Sequence, residues 1–327
     1  MNKEKYQFTG EVKNRVDGFK NHLQKQHIHP GTIRQKTNYT GYFLKWCETE
    51  RLEAKDVRYN DLLTFIDYCR LNGRSIAHVN RMIASVRDYY NFLKEENPAI
   101  LNPATGLYLK GTRHKIVSGI CDFKELETLY QSYPTKTLRE KRNKVILGML
   151  VYQGITTEEI SQLETVHLKI KEGKMDVPGN RKRNSRTLEL KSVQILVVHE
   201  YITEVRVTLL KEITQGLTPG RKPMVIHQSR IDDQLFVSVN GSEHLKSSLL
   251  HLFRDVKKIN PNVTSCAQIR QSVITHWLKT HNLREVQYMA GHKYVSSTER
   301  YQRSHLDNLQ RKLEQHHPLN RKTVSPV

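Results

Sequence analysis

A histidine and a tyrosine near the C-terminal end of the chain have a spacing that could support chemistry on phosphate. The stretch MAGHKYVSSTERYQ, residues 289–302, contains His292, a turn rich in Ser and Thr, and then Tyr301 nine residues after the histidine. One interpretation is that Tyr301, like Tyr294, is an ordinary half-buried aromatic residue on a C-terminal helix. The other is that Tyr301 is a nucleophile and that His292 helps it react with a phosphate.

The charge of the chain predicts a polyanionic partner. The 327 residues include 53 Lys and Arg against 33 Asp and Glu, a formal net charge of +20. Each phosphate that a protein neutralises releases condensed counterions, so this excess favours nucleic acid over other partners. We expect no membrane association and a cytoplasmic location, because the chain has no apolar run of membrane-spanning length and no signal-peptide core. The cysteines are far apart without a C-x-x-C pair, which argues against zinc or disulfides.

The N-terminal part of the chain has the pattern of a helical domain. The length of 327 residues suits two domains. Residues 11–97 predict four helices, because apolar residues recur at helical spacing between capping and stop signals. One side of this unit is basic and could bind DNA, although a solvated charged face has the same pattern. The residues expected to contact DNA there are Arg34, Lys36, Lys45, Arg81 and Arg87.

A basic segment separates this unit from the rest. Residues 102–119 contain Pro, Gly and several basic residues without a sustained period, which indicates a linker. We expect a short arm at 1–10, a helical DNA-binding domain at 11–108, a basic linker at 109–120 and a C-terminal domain at 121–327. Lys110, Arg113 and Lys115 of the linker are further expected DNA contacts.

The C-terminal part predicts a mainly helical fold with one small sheet. CDFKELETLYQSY and LREKRNKVILGMLVYQG indicate two helices, the second amphipathic. Apolar residues then alternate with polar ones, which predicts a three-stranded antiparallel sheet from Val166, Leu168 and Ile170, from Met175 and Val177, and from Thr187, Leu188 and Leu190. NRKRNSR is its most basic turn. Helices are expected at about 192–213 and 242–258 and in several segments up to the tail. The fold class is therefore mainly α with a small antiparallel β-sheet.

Two motifs in this layout resemble the tyrosine recombinase, or phage-type integrase, family. Residues 290–292, Ala-Gly-His, and 298–301, Thr-Glu-Arg-Tyr, match the family's Leu-Gly-His, spacer and Thr-x-x-Tyr in spacing and type. IRQSVITHWL is similar to the family's Arg-His-Ser/Thr segment and puts Arg270 at its second catalytic arginine. Either stretch alone is weak, but both in this order, about thirty residues apart, are specific.

The resemblance implies a role for each of these residues. Tyr301 would attack the scissile phosphate and form a 3′-phosphotyrosyl bond, which keeps the bond energy for rejoining. Arg270 would clamp the phosphate, since a guanidinium donates two parallel hydrogen bonds, and His292 would donate another. A lysine in the turn between the second and third strands would protonate the leaving 5′-oxygen. We choose Lys182, although its neighbours Arg181 and Arg183 cannot be ordered against it. No metal or other cofactor is expected.

Two residues depart from the family pattern. QGITTEEISQL puts Thr156 where the family has its first catalytic arginine, and Ala267 stands where His-x-x-Arg would have its histidine. Thr156 or Thr157 suits an N-cap for the acidic helix that follows. Loss of one preorganised donor typically costs on the order of 10²–10³ in rate. The basic residues that could replace the arginine are Arg139, Arg142, Arg181 and Arg183.

The function implied by the resemblance is site-specific DNA recombination by the integrase or transposase of a mobile element. The protein would bind double-stranded DNA as a C-shaped clamp at the nucleoid and assemble from dimer to tetramer, with accessory DNA-bending proteins as further partners. The C-terminal tail would be exchanged between protomers, and the alternative is that it folds back onto its own domain. One alternative is a non-catalytic DNA-binding relative that regulates rearrangement, which Thr156 and Ala267 motivate. Another is a type IB topoisomerase, which the modest clamp and short C-terminal segment disfavour.

Overall fold

The computed structural model describes residues 10–111, 119–216, 231–239, 241–242 and 244–302. Residues 1–9 of the expected arm, Arg113 and Lys115 of the expected linker, and the expected tail helix lie outside these ranges. The chain divides into two compact units, residues 1–115 and 116–327. Among the described residues, no helix has both the length and the apolar character needed to cross a lipid bilayer.

The N-terminal unit contains the four predicted helices. They are α1 (Gly10–Lys25), α2 (Pro30–Thr49), α3 (Tyr59–Leu71) and α4 (Ile76–Glu96). Their ends follow local chemistry. Pro30 occupies the first turn of α2, where a missing N–H costs nothing. The Ser75 side chain accepts a hydrogen bond from the His78 N–H at 3.3 Å and caps α4.

Aromatic rings form much of the core of this unit. Phe19, Phe43, Phe65 and Tyr90 are fully buried, and Phe43 meets Phe65 edge to face with 5.2 Å between ring centroids. The Tyr90 hydroxyl donates to the Ala54 carbonyl at 2.6 Å, so its polar end is satisfied.

Residues 104–109, at the end of the expected helical domain and the start of the expected linker, pack against α4. The Asn80 side chain pairs with both backbone groups of Leu109, with two bonds of 2.9 Å. The Arg87 guanidinium donates to the carbonyls of Ala104 and Leu107 at 2.9 and 2.7 Å. These contacts fix residues 104–109 onto the helical unit.

The C-terminal unit is mainly helical, and the expected fold class is confirmed. Its helices are α5 (Phe123–Ser132), α6 (Leu138–Tyr152), α7 (Thr157–Gln162), α8 (Ser192–Glu200), α9 (Arg206–Gln215), α10 (Lys246–Ile259), α11 (Cys266–Thr280) and α12 (Leu283–Ala290). A π-helical turn, Tyr201–Val205, joins α8 to α9. Residues 296–302 are also helical.

The predicted sheet is present, but its first strand is short. β1 (Leu168–Lys169), β2 (Lys174–Val177) and β3 (Arg186–Glu189) pair antiparallel in the order β1-β2-β3. The prediction that Val166 and Ile170 belong to the first strand was wrong, because both lie in 3₁₀ turns that flank β1. Met175 lies opposite Leu188, and both are buried in the core.

Helix α6 is buried on all sides beyond its first turn, so the prediction that it is amphipathic was wrong. Every residue from Arg142 to Tyr152 is buried, because α5, α8 and α11 all pack against this helix. Its charged residues have internal partners. The Lys144 ammonium binds carbonyls at the end of α5, and the Arg142 guanidinium donates to the Val237 carbonyl at 2.9 Å. Charges that look like a solvated face in the sequence are therefore satisfied inside the fold.

Candidate active site

Arg270 on α11 is held by backbone carbonyls at the centre of the site. Its side chain lies deep in the C-terminal unit, with 7% of the residue exposed. One terminal nitrogen, Nη1, donates to the Gly154 carbonyl just after α6. The other, Nη2, donates to the Ala290 carbonyl at the end of α12 at 2.6 Å, and lies 3.3 Å from His292 Nε2. The arginine is thus fixed by the ends of two helices.

His292 connects Arg270 to the segment that carries Tyr301. Its Nδ1 lies 2.8 Å from the hydroxyl of Thr298, which is completely buried. Its ring stacks on that of Tyr301, with centroids 5.9 Å apart. Thr298 and Tyr301 are three residues apart on one helical turn and so share a face. This explains physically why the histidine, the threonine and the tyrosine occur at their spacing.

The contacts of His292 define its protonation state. A guanidinium has no acceptor, so Nε2 accepts from Arg270, and Nδ1–H then donates to Thr298. The donor role expected for His292 requires the other tautomer, with the proton on Nε2. The Thr298 hydroxyl can serve both tautomers, because a hydroxyl both donates and accepts.

The electrostatics agree with a neutral histidine beside charged arginines. Burial, and after it the charges of Arg270, Arg183 and Arg186, lower the pKa of His292 to about 4. Burial also lowers the pKa of Arg270, to about 10, while the nearby Glu159 carboxylate opposes this effect. At neutral pH the imidazole is uncharged and Arg270 is cationic.

Thr156 is the N-cap of α7, and the expectation that Thr156 or Thr157 caps this helix is confirmed. The Thr156 hydroxyl accepts from the Glu159 N–H at 3.3 Å, and Glu159 Oε2 accepts from the Thr156 N–H at 2.8 Å. This reciprocal pair is a capping box, which satisfies two N–H groups that a helix start otherwise leaves without partners.

A buried ion pair between Glu159 and Arg186 lies beneath the site. Neither side chain is exposed, and Arg186 Nη1 lies 2.8 Å from Glu159 Oε1. Arg186 Nε also donates to the Met289 carbonyl at 2.7 Å, which ties β3 to α12. Burial alone would raise the pKa of Glu159, but the hydrogen bond and charge of Arg186 lower it below its ordinary value. Sequence reasoning did not identify Arg186 as part of the site. The signal that could have found it is Glu159, because a carboxylate that the fold buries needs a cation as its partner.

Gly291 leaves the space that Arg186 needs. Its φ is +64°, and a Cβ built there would lie 2.4 Å from Arg186 Nη1 and 2.9 Å from its Cζ. The glycine ends α12 in a left-handed cap. It also accepts a hydrogen bond from the Asn184 N–H at 3.1 Å, which brings the basic turn against His292.

Lys182 lies in the turn between β2 and β3, as expected, and is exposed. The turn closes through a backbone bond of 2.8 Å from the Asn180 N–H to the Arg183 carbonyl. The Asn180 side chain accepts from the Lys182 and Arg183 N–H groups at 2.8 and 3.0 Å. Arg181 is exposed in the same turn. Lys182 precedes Arg183 in the sequence, and the backbones of Arg183 and His292 form an isolated antiparallel β-bridge. Lys182 therefore lies in the turn that is paired with the His292 segment.

The four candidates for the missing arginine lie in three places, because Arg181 and Arg183 share the β2–β3 turn. Arg183 Nη1 donates to the Thr156 hydroxyl at 3.1 Å. Arg142 is buried with the Val237 carbonyl and the Asn143 side chain as partners. Arg139 lies 3.6 Å from Asp255. The structure therefore brings Arg183 to the residue that stands in for the arginine, whereas Arg142 and Arg139 contact other parts of the unit.

The basic residues expected at DNA in the N-terminal unit divide into two groups. Arg34, Lys45, Arg81 and Lys110 are exposed. Lys36 instead forms an ion pair of 2.6 Å with Asp88, and Arg87 donates to the carbonyls already described.

In the C-terminal unit, His276 stacks on Phe123 with 4.2 Å between ring centroids, which is a packing role. No cluster of three potential metal ligands occurs among the described residues.

Comparisons with known proteins assign the family. The model of the phage integrase family matches residues 120–307, more than half of the chain. The chain belongs to this family. The model of the N-terminal SAM-like domain of phage integrases matches residues 16–97. The tyrosine recombinase XerC of Oceanobacillus iheyensis is 25% identical over 311 residues, which are 93% of this chain and 95% of XerC. The expected membership among tyrosine recombinases, an enzyme family, is thereby confirmed.

Solved structures of recombinases share the fold of this family member. The XerH site-specific recombinase, bound to a palindromic difH substrate in a post-cleavage complex, has a TM-score of 0.67 at 18% identity, over 94% of this chain and 89% of that chain. The Tn1549 transposon integrase in complex with a circular intermediate DNA has a TM-score of 0.62 at 14% identity, over 91% of this chain and 99% of that chain. At these identities the likeness shows the fold alone.

Proposed function

We propose that this chain is a site-specific recombinase of a mobile element, an integrase or transposase, that cuts and rejoins double-stranded DNA through a 3′-phosphotyrosyl intermediate. The observation that carries the proposal is a set of contacts inside one unit: His292 contacts Arg270, Thr298 and Tyr301. The names of the relatives support it, since one is a recombinase and another is a transposon integrase bound to DNA. The net charge of +20 also suits DNA as the substrate.

The geometry suggests how the chemistry would proceed. The Tyr301 oxygen attacks phosphorus and releases its proton to solvent water, while the bond from phosphorus to the 5′-oxygen breaks. Arg270 stabilises the charge that develops on a non-bridging oxygen. Three of its five N–H groups serve the contacts described, which leaves two for phosphate. Lys182 in its exposed turn would protonate the leaving 5′-oxygen, and His292 would donate to the phosphate after its tautomer changes.

Assembly is a further part of the proposal. Dimers and tetramers would form on DNA in the cytoplasm, at the nucleoid, with accessory DNA-bending proteins as partners. An apolar groove of about 680 Å³ in the C-terminal unit suits a segment from another protomer; its apolar lining includes Leu245, Leu249, Leu250, Phe253, Cys266 and Ala267. The tail sequence has Leu306, Leu309 and Leu313 at helical spacing, a pattern that predicts an apolar face for such a groove.

A binding-only regulator remains the second candidate, because Thr156 and Ala267 replace two residues of the family pattern. One experiment separates the two functions. Wild type and Tyr301→Phe are incubated with nicked suicide duplexes from a pool of candidate sequences and separated on a denaturing gel. Tyr294→Phe is the matched control, since this tyrosine is 67% exposed in the same segment. Recombination predicts a protease-sensitive DNA adduct in wild type and Tyr294→Phe that is absent from Tyr301→Phe. DNA retardation without any adduct would favour the regulator.

A further inference from the structure

Position 156 has no arginine, but an arginine reaches it from another element. Thr156 lies at the start of α7, whereas Arg183 lies in the turn before β3, 27 residues further along the chain. Arg183 Nη1 donates to the Thr156 hydroxyl at 3.1 Å. The guanidinium is therefore at the end of the side chain that replaces the family's first arginine.

We infer that Arg183 supplies the phosphate contact that Thr156 cannot make, and that Thr156 and Glu159 seat its guanidinium for that purpose. This inference rests on the recombinase function proposed above. Glu159 Oε1 lies 4.0 Å from Arg183 Nε, so a fixed carboxylate lies beside the cation as well as the hydroxyl. Thr156 then has two roles, because the same hydroxyl that caps α7 also receives the arginine.

The exposure of Arg183 distinguishes it from Arg186, the other arginine beside Glu159. The Arg183 side chain is 22% exposed, whereas that of Arg186 is completely buried. A phosphate can therefore reach Arg183, while Arg186 is confined to the ion pair with Glu159 and the Met289 carbonyl. Arg186 acts as a positioning residue for this carboxylate.

The position of the turn directs Arg183 toward the reacting groups. Arg183 and His292 form an isolated antiparallel bridge, and the Asn184 N–H binds the Gly291 carbonyl at 3.1 Å. The positive charge of Arg183 contributes to the lowered pKa values of both His292 and Arg270, which is consistent with this proximity. Arg183 therefore lies close to His292, which in turn contacts Arg270.

Glu158 is the partner that a phosphate would displace. Its carboxylate lies 3.5 Å from Arg183 Nη1 and its side chain is 51% exposed. Such a surface pair is weak and is screened by salt, so a dianionic transition state can replace it. As the Tyr301 oxygen bonds to phosphorus and the 5′-oxygen leaves with a proton, Arg183 would donate to a non-bridging oxygen and form no covalent bond itself.

The test measures the rate of covalent complex formation on a suicide substrate. We expect Arg183→Ala to slow it by about 10²–10³-fold and Arg183→Lys to retain part of it, because lysine keeps the charge but not the fork. Arg181→Ala removes the same charge from the same turn and should lose less than about tenfold, through DNA attraction alone. Arg183→Gln replaces the alanine variant if the urea midpoint of the latter shows that folding has failed.

Two further measurements separate phosphate contact from a merely structural role. A methylphosphonate at the scissile position removes one charged oxygen, so the defect of Arg183→Ala should shrink on it. Thr156→Arg in the Arg183→Ala background should restore activity, whereas Thr156→Ala in that background should not. A loss below tenfold, or an equal loss on both substrates, would overturn the assignment of Arg183 alone. A wild type without a Tyr301-dependent adduct would overturn the recombinase function, and this assignment with it.

Discussion

The imidazole of His292 lies parallel to the ring of Tyr301, with 5.9 Å between the ring centroids and 9° between the ring planes. Thr298 links the two residues, because its hydroxyl forms a hydrogen bond with His292 and it precedes Tyr301 by one helical turn. The orientation of the proposed nucleophile is therefore coupled to the hydrogen bonding of the histidine. A change in the tautomer of His292 changes a contact on the tyrosine's own helix.

The buried histidine should make stability depend on pH. The pKa of His292 is about 4 in the folded protein against an ordinary 6.5. Between these values the unfolded chain binds more protons, so the free energy of unfolding falls as the pH is lowered from about 6.5 to 4. We expect His292→Gln to reduce the loss between pH 7 and pH 5 by about 1 to 2 kcal/mol, measured by urea unfolding. His281→Gln replaces an exposed imidazole, and a similar change in that variant would contradict the assignment to burial.

Loss of the buried carboxylate should strongly destabilise the C-terminal unit. Glu159→Gln leaves Arg186 buried without its counter-ion, so we expect a loss of about 3–5 kcal/mol in the free energy of unfolding. Glu200→Gln breaks the partly exposed pair with Lys141 and should cost less than about 1 kcal/mol. Unfolding can be followed by Trp277 fluorescence in a Trp46→Phe background. Equal losses of unfolding free energy in the two variants would show that burial does not make the Glu159–Arg186 ion pair more important for stability than an exposed pair.

Gly291 should tolerate a side chain less well than a glycine of the same backbone geometry. Gly291 and Gly173 both have φ +64°, but a Cβ at Gly173 would meet only Ile195, at 3.9 Å. Gly173→Ala should therefore cost about 1 kcal/mol, from backbone conformation alone. Gly291→Ala also displaces the Arg186 guanidinium and should cost about 3 kcal/mol or more. Urea unfolding compares the two; indistinguishable values would mean that Arg186 moves without loss.

Lys182 can be tested as the proton donor by changing the leaving group. Lys182→Ala should slow cleavage of an ordinary phosphodiester by about 10²–10⁴-fold, the usual worth of general acid catalysis. A substrate with sulfur in place of the bridging 5′-oxygen needs no proton to leave, so the defect should largely disappear on it. Quenched-flow cleavage assays on both substrates measure the difference. A defect of the same size on both would assign Lys182 to DNA binding instead.

The exposed and the internally bonded basic residues of the N-terminal unit should respond differently to substitution. The logarithm of the DNA-binding constant falls linearly with the logarithm of the salt concentration, and Lys45→Ala should make this slope less steep by about 1. We expect no loss of stability in this variant. Arg87→Ala leaves the Ala104 and Leu107 carbonyls without their donor and should cost about 1–3 kcal/mol in stability. Salt titrations of DNA binding and urea unfolding measure the two effects. A stability loss in Lys45→Ala would contradict this division.

Local patterns in the sequence were sufficient for most of the elements. Periodicity and end signals predicted α1 to α4, and the Thr156 cap followed from the residue types at the start of α7. The same reasoning failed for α6, because the partners of Arg142 and Lys144 lie on other elements. It also failed at Val166 and Ile170, where alternation continued but only two residues pair with β2.

The site itself was predictable only in part, for a related reason. Arg270, His292 and Tyr301 came from motif spacing, and their mutual contacts agree with it. Arg183 was one of four candidates, because its contact with Thr156 depends on how the β2–β3 turn lies against α7. The partnership of Arg186 and Glu159 spans 27 residues and leaves no periodic signal. Such contacts are visible only once the chain has folded.

The carbonyl of Gly154 anchors Arg270 at the end of α6, a helix whose residues are buried from Arg142 to Tyr152. Opening that helix would require most of the surrounding packing to open with it, so the arginine is insulated from the local breathing of surface loops. Under the proposed function, surface loops and helix faces that would contact DNA can accordingly accumulate substitutions while the arginine keeps its place. Under the proposed function, substitutions that change which DNA site is recognised can therefore accumulate without disturbing the position of Arg270.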